Sequence, residues 1–469
     1  MKVAVKPEAG SFRDPCGRVY EQDGKILRGV DETTFNNFLS LKQTPLFQQF
    51  EGAGLVVQTS VASDDLASGI RDLGWYGVLH HERVPLVSYP YEWSFSMLKD
   101  AALLQLELLE KSLLAGWTMK DSTPFNIQFA GKSPIFIDIP SFVPRVAGDY
   151  WRGYRQFCML FLYPLMLKAH RDIDFNTILR SSLEGITPAE FSKYFSGVAR
   201  LKNGVLSHVV FPAMMERAVE RRERDNVPAV RRQEFRHSDA MVIGLVQSMR
   251  RIVERLRSPI RHTTWSKYAT RHSYGDDAFD EKVAFVKRAL AGVSGNIAWD
   301  IGSNTGTFSR LCAAHSKYVL AIDGDHDAVE QLYVAERAGG PGNVLPLYMN
   351  LANPSPGQGW AGQERAAFDG RNRPDLVICL ALIHHMALSA NVPIELFIGW
   401  LAGLRAKLII EFVDRHDEMV EKLLLNKTES YESYNRDNFE HALRSRFGVL
   451  DEQPLKGGKR RIYFCEPMT

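Results

Sequence analysis

Asp300, Gly302 and Gly306 fall in the spacing Asp-x-Gly-x-x-x-Gly where the apolar run Ala298-Trp-Asp-Ile ends. Two glycines at a strand end allow a tight loop whose backbone comes close to a ligand. The residues from Thr307 to Ala314 can form a helix behind it, with N–H groups offered to polar atoms. Asp323 closes the next such run, Leu320-Ala-Ile-Asp, 23 residues after Asp300. A carboxylate there can accept hydrogen bonds from both hydroxyls of a ribose, a feature that NAD-binding sheets share. The glycine spacing differs from the Gly-x-Gly-x-x-Gly that lets a pyrophosphate pass. Farther on, the run from Asp375 ends in His384 and His385. Imidazole titrates near neutrality, so both are candidates for a general base. Adjacent in the chain, the two cannot easily face a substrate together, and one is expected to pack or to orient the other. Glu411, ending Leu408-Ile-Ile-Glu, is a candidate for substrate binding. Asn350, after the run 344–348, can accept a hydrogen bond through its carbonyl.

These residues sit at the ends of β-rich runs at 297–301, 318–322, 344–348, 376–380 and 408–412, separated by helical segments such as 327–338 and 394–404. Strands alternating with helices imply a parallel sheet covered on both faces, with ligands across the carboxyl ends of its strands. The pattern then changes. Residues 447–455, the turn Lys456-Gly-Gly-Lys459 and residues 460–466 read as a β-hairpin.

Five parallel strands closed by a hairpin, with Asp-x-Gly-x-x-x-Gly after the first, resemble the class I S-adenosylmethionine-dependent methyltransferases, in which the last strand is inserted antiparallel. The runs 381–386, 350–360 and 411–424 are similar to a bacterial subgroup labelled NoeA-like. The resemblance implies an α/β, Rossmann-like domain over 263–469. It implies S-adenosylmethionine held by Asp300, Gly302, Ser303, Gly306, Asp323, Asn350 and Leu380. It further implies methyl transfer to an oxygen or nitrogen of a small-molecule acceptor of specialised-metabolite or glycan type, with His384 or His385 removing the proton. The family often has an acidic residue where Asn350 stands, contacting the adenine amino group. Ahead of the first strand, Trp265, Tyr268 and Tyr274 would form an aromatic wall for the sulfonium. No Asp-Pro-Pro-Tyr or Asn-Pro-Pro-Tyr follows the fourth strand, which argues against nucleobase and Gln amino groups as acceptors. Residues 357–374 form the most loop-like stretch and are expected near the active site.

Residues 1–235 differ in character. Residues 16–30 alternate about Asp23-Gly24 as a hairpin, 84–93 read as strand then turn, and 95–115 as a long apolar helix. Asp121 and Asn126 follow that helix, and Asp138 closes Pro134-Ile-Phe-Ile-Asp. This order resembles the catalytic region of protein-kinase-like phosphotransferases. There Asp121 would receive a hydroxyl proton, and Asn126 and Asp138 would hold Mg²⁺. The glycine-rich phosphate loop is missing, Arg28 stands where a lysine is required, Met119 replaces the usual His, and Ile139 and Pro140 follow the metal Asp. The expectation is therefore a degenerate α+β kinase-like domain used for substrate recognition. Phosphotransfer from Mg·ATP and a non-catalytic scaffold are the alternatives. Residues 236–262 read as a helical linker with solvated arginines.

The chain of 469 residues exceeds one ordinary domain. Hydrophobic residues at 45% and charged residues at 24% suit a soluble globular protein. A net charge of +2 gives no support for a nucleic-acid or membrane-surface partner. Five scattered cysteines without a Cys-x-x-Cys pair fit free thiols, not a disulfide framework or zinc cluster, and no resident metal is expected. The N-terminal residues lack the apolar core of a signal peptide. The longest apolar run, 157–167, contains Pro164 and is too short to span a bilayer. The expected setting is the cytoplasm.

Overall fold

A computed structural model describes residues 5–224, 237–259, 276–425, 427 and 431–468. In the N-terminal region, β1 (Lys6–Pro7) pairs with β2 (Gly17–Gln22), which turns through Asp23-Gly24 into β3 (Lys25–Val30). Asp23 and Gly24 have φ of 52° and 74°, the left-handed pair that a two-residue hairpin loop requires. With β4 (Thr59–Val61) and β5 (Gly77–His81) these strands form an antiparallel sheet in the order β1-β2-β3-β5-β4. Beyond it runs the helix Phe95–Leu114, apolar nearly all round, with Leu98, Ala101, Leu104 and Leu108 buried. Such a helix belongs inside a core. Two small ribbons follow. β6 (Trp117–Met119) pairs with β9 (Phe142–Pro144), and β7 (Ile127–Ala130) pairs with β8 (Ser133–Phe136).

Residues 84–93 are not a strand, contrary to the sequence expectation. The Val87 N–H donates to Asn372 Oδ1 at 2.7 Å and the Ser88 N–H to Gln128 Oε1 at 2.9 Å; a 3₁₀ turn, Pro90–Glu92, follows. Distant side chains satisfy the backbone here, so no neighbouring strand is needed. The helix Asp239–Arg255, within the interval expected to be a solvated linker, packs on Phe95–Leu114. It buries Val242, Val246, Met249 and Val253, and Lys99 Nζ reaches Glu254 O and Leu256 O at 2.9 Å. Its Arg250 keeps the expected solvated character, paired with Glu254 at 3.1 Å and Glu110 at 3.5 Å.

The C-terminal region is built on β10 (Gly295–Ile301), β11 (Ser316–Asp323), β12 (Val344–Tyr348), β13 (Leu376–Cys379), β14 (Lys407–Val413), β15 (Phe447–Pro454) and β16 (Arg460–Pro467). Their order is β12-β11-β10-β13-β14-β16-β15. The first five are parallel, and β16 enters antiparallel between β14 and β15. This is the topology that the alternating runs and the terminal hairpin imply. Alternate strand residues feed two cores, as the pleat demands. Ala298, Val319 and Ala321 pack with Phe285 and Leu290, whereas Trp299, Leu320 and Ile322 join the larger core shared with the N-terminal region.

That shared core makes the two regions one packed body. Phe129 lies edge-on between Trp93 and Tyr333, with ring centroids at 5.0 and 6.0 Å. The Tyr333 hydroxyl donates to Asp100 at 2.7 Å, and the Ser96 N–H donates to Glu330 at 2.9 Å. Residues 357–374, expected near the active site, instead serve this junction. Arg371 forms a buried ion pair with Glu92, Asn372 Nδ2 donates to Val87 O, and Glu364 binds Arg13. The five cysteines are free thiols. Among the described residues, no helix is long and apolar enough to cross a membrane.

Candidate functional site

A cavity of about 1070 Å³ lies across the carboxyl ends of β10 to β13, where a parallel sheet with helical crossovers leaves a crevice. Asp300, Gly302, Ser303, Asp323, Asn350, Leu380, His384 and His385 all line it, so sheet register unites residues spread over 85 positions of chain. Trp265, Tyr268 and Tyr274 lie outside the described residues.

The loop after β10 is shaped by its glycines. Gly302 has φ 79°, in the left-handed region, and a Cβ there would make ordinary contact with Leu382 at 3.6 Å. Gly306 has φ 84°, and a Cβ there would come within 2.4 Å of Leu332. The first glycine is called for by its left-handed backbone; the second also by the close approach of Leu332. Gly306 itself is not among the lining residues, whereas its neighbours Thr305 and Thr307 are. The N–H groups of Gly302 and Ser303 donate to Ile322 O at 2.8 and 3.0 Å. They tie the loop to β11 and are not presented to a ligand. The helix Thr307–Ala313 spans seven residues. Ser303 lines the cavity, and its Oγ is buried without a hydrogen-bond partner.

Asp323 organises the loop from the neighbouring strand. Its Oδ2 accepts from the Asn304 N–H and its Oδ1 from the Asp325 N–H, both at 2.8 Å. A carboxylate has about four lone-pair sites, so the group keeps capacity for a further donor. Asp300 is 3% exposed and accepts from the Ser309 hydroxyl at 2.6 Å. Burial pushes its carboxyl up to about 6, with the Ser309 bond opposing. A pKa above the unfolded value means that the folded state holds the proton more tightly. Stability contributed by this group is therefore lost as pH rises from about 4 through 6, on the order of 3 kcal/mol in full. Asp300→Asn is expected to flatten that part of the stability profile. Thermal unfolding midpoints of both proteins between about pH 4 and pH 7 check this.

The two histidines follow β13 after a sharp change of direction. Ala381 has φ 51°, an uncommon conformation for a residue with a Cβ, and a π-helical turn spans His385–Ser389. The strand's alternation ends before the pair, so both imidazoles line the cavity, with ring centroids 4.2 Å apart. His385 is the more exposed of the two. His384 is 2% exposed. Burial, then the charges of His385, Arg460 and Lys282, hold it well below the ordinary histidine range. Burial lowers His385 to about 4. Both rings are neutral at neutral pH.

Glu411 is corrected more fully. It is absent from the cavity wall and completely buried. Its Oε2 accepts from Lys282 Nζ at 2.5 Å and its Oε1 from Arg460 at 3.3 Å, while Arg460 also grips Asp417 at 2.8 and 3.1 Å. Lys282, from the helix Asp276–Ala291, does line the cavity, 5.3 Å from the Phe308 ring centre. Sequence reading missed Lys282, His326, Tyr348 and the segment Lys168–Asp174, which also line the cavity. The one available signal was His326, three residues after Asp323.

In the N-terminal region Arg28 Nη1 meets Asp138 Oδ1 at 2.5 Å, and Asn126 Nδ2 donates to Asp138 Oδ2 at 3.2 Å. Asp121 is close by. Burial and then the Asp138 charge raise its pKa. Among the described residues no cluster of three or more His, Cys, Asp and Glu side chains is arranged to hold a metal ion.

The strand order, with its antiparallel strand inserted beside β14 and a glycine loop after β10, is the Rossmann-like arrangement that the resemblance to class I S-adenosylmethionine-dependent methyltransferases implies. No family model matches the chain. It is 32% identical over 469 residues to nodulation protein NoeA of Rhizobium meliloti (strain 1021), a match that covers 99% of this chain and 98% of that one. The chain belongs to the NoeA family. Similar solved structures include the N-methyltransferase NodS of Bradyrhizobium japonicum WM9 with S-adenosyl-L-homocysteine, at 12% identity and TM-score 0.31, covering 44% of this chain and 100% of that one. The magnesium protoporphyrin IX methyltransferase ChlM of Synechocystis PCC 6803 follows, at 17% identity and TM-score 0.29, covering 45% and 90%. The class of fold rests on strand order, not on these likenesses.

Proposed function

We propose that the chain transfers a methyl group from S-adenosylmethionine to an oxygen or nitrogen of a small-molecule acceptor of specialised-metabolite or glycan type. The observation that carries this reading is one continuous cavity lined by the glycine loop, Asp323 and both histidines. The residues suit the cofactor. Gly302 leaves room that a side chain would narrow, Ser303 Oγ is a buried hydroxyl in want of a partner, and Asp323 keeps lone pairs for ribose hydroxyls. Bound there, S-adenosylmethionine would supply an electrophilic methyl on a sulfonium. Leu380 and Leu382 would exclude water from that carbon, and the cavity wall would align the acceptor, which is where much of the rate arises.

The neutral imidazole of His384 or His385 would take the proton released as the acceptor is alkylated. Positioned general bases contribute about 10²–10⁴-fold. Transfer of labelled methyl from the cofactor to extracted small molecules is expected to fall by about 10²-fold in His384→Ala or His385→Ala. Unchanged transfer in both variants would remove the histidines from the mechanism.

The kinase-like reading of residues 1–235 draws support from the sheet order β1-β2-β3-β5-β4 ahead of the long helix and from the grouping of Asp121, Asn126 and Asp138. A guanidinium on Asp138 stands where Mg²⁺ would be needed, which favours a non-catalytic domain over phosphotransfer. Titration with Mg·ATP is expected to give no binding heat. Binding that disappears in Asp138→Ala would reinstate the phosphotransfer alternative.

A further inference from the structure

The cavity has a direction. Asp323 and Asn350 follow β11 and β12 on one side of β10, whereas His384 and His385 follow β13 on the other. A ribose at Asp323 therefore places the base of a nucleoside toward β12. That is the end where the N-terminal region enters the wall, through Lys168, Asp172 and Asp174.

One feature there, the His326 ring, calls for a ligand, and two others frame it. Asn350, which would be expected to receive an adenine amino group, uses its Oδ1 to accept from the Ala352 N–H at 3.0 Å, closing a turn. His326 is 5% exposed, lines the cavity, and has no hydrogen-bond partner on either ring nitrogen. It stands edge-on to Phe175 and Tyr348, with centroids at 6.0 and 5.7 Å, and its Nδ1 is 3.9 Å from Asp174 Oδ1, beyond hydrogen-bond reach. The segment beside it is firmly built. Lys168, 3% exposed, binds Asp174 at 2.7 Å and Asp172 at 3.1 Å, and Asp172 ends its helix at φ 55°. A buried imidazole without partners costs free energy unless something binds it.

We propose that the N-terminal region completes the nucleoside end of the cofactor site, with His326 and Asp174 together reading the exocyclic amino group of a 6-aminopurine. This rests on the methyl-transfer reading. A neutral imidazole nitrogen and a carboxylate both accept N–H bonds. A 6-oxopurine would bring a carbonyl oxygen against the same acceptors and be rejected.

The test compares S-adenosylhomocysteine with its deaminated analogue, S-inosylhomocysteine, by calorimetry on the full chain. Wild type is expected to prefer the adenosyl compound by about 100-fold or more. His326→Phe, which keeps an aromatic ring between Phe175 and Tyr348, and Asp174→Asn are each expected to lose about 10-fold of that preference. Circular dichroism establishes that each variant is folded, and the half-exposed Asp174 supplies the second variant if His326→Phe does not fold. Equal binding of the two compounds by wild type, or an unchanged preference in both variants, overturns the inference while leaving methyl transfer standing. Failure of wild type to bind S-adenosylhomocysteine at all overturns both.

Discussion

Glu411→Ala is expected to lower the unfolding free energy by about 3–5 kcal/mol, because it removes a buried counter-charge from an ion network. Glu411 is 0% exposed and is the carboxylate between Lys282 and Arg460. Arg460 would keep Asp417, but Lys282, 2% exposed, would lose a counter-charge now 2.5 Å away. Glu411→Gln, which keeps the volume, should lose less. The sign of the pH dependence follows from the same geometry. Burial pushes the Glu411 carboxyl up, and the charges and hydrogen bonds of Lys282 and Arg460 more than reverse this, leaving its pKa lowered. Its stabilisation is thus present above the unfolded value of about 4.3 and fades as pH falls through the folded one. Denaturant unfolding of wild type and both variants, at neutral pH and again below about pH 4, checks magnitude and sign together. Equal stability of Glu411→Ala and wild type at neutral pH would contradict the network's role.

The second large effect concerns the ligand. Asp323→Ala is expected to weaken S-adenosylhomocysteine binding by about 100-fold or more. It removes acceptors for two ribose hydroxyls, at about 1.5–3 kcal/mol for each bond to a charged group. It also frees the Asn304 N–H that holds the glycine loop. Asp323→Asn separates these contributions. An amide oxygen can keep the Asn304 bond but carries no charge, so an intermediate loss is expected. Calorimetric titration of the three proteins measures it. An affinity in Asp323→Ala within a few-fold of wild type would place the ribose elsewhere.

Local pattern carried much of this region's architecture. Asp323 was legible because a buried parallel strand must end at the ligand edge, and the Gly457-Gly458 turn announced the antiparallel pair β15 and β16. Glu411 was not legible. A charge at the end of a fully buried strand fits a ligand contact or a buried counter-ion equally well, and only Lys282 and Arg460, 129 and 49 residues away, decide it. Lys168 and Asp174 were invisible as site residues, since the packing of two distant regions brings them to the cavity. Residues 357–374 looked like an active-site loop because their composition marks a loop, yet composition does not say which surface the loop covers.

The central claim is that the cavity across β10 to β13 is a cofactor site. Titration of S-adenosylhomocysteine into the 469-residue protein tests it most directly. A one-to-one isotherm with a micromolar dissociation constant, weakened by about 100-fold or more in Asp323→Ala, is the predicted result. No binding heat from a folded, monodisperse sample at millimolar ligand would contradict it.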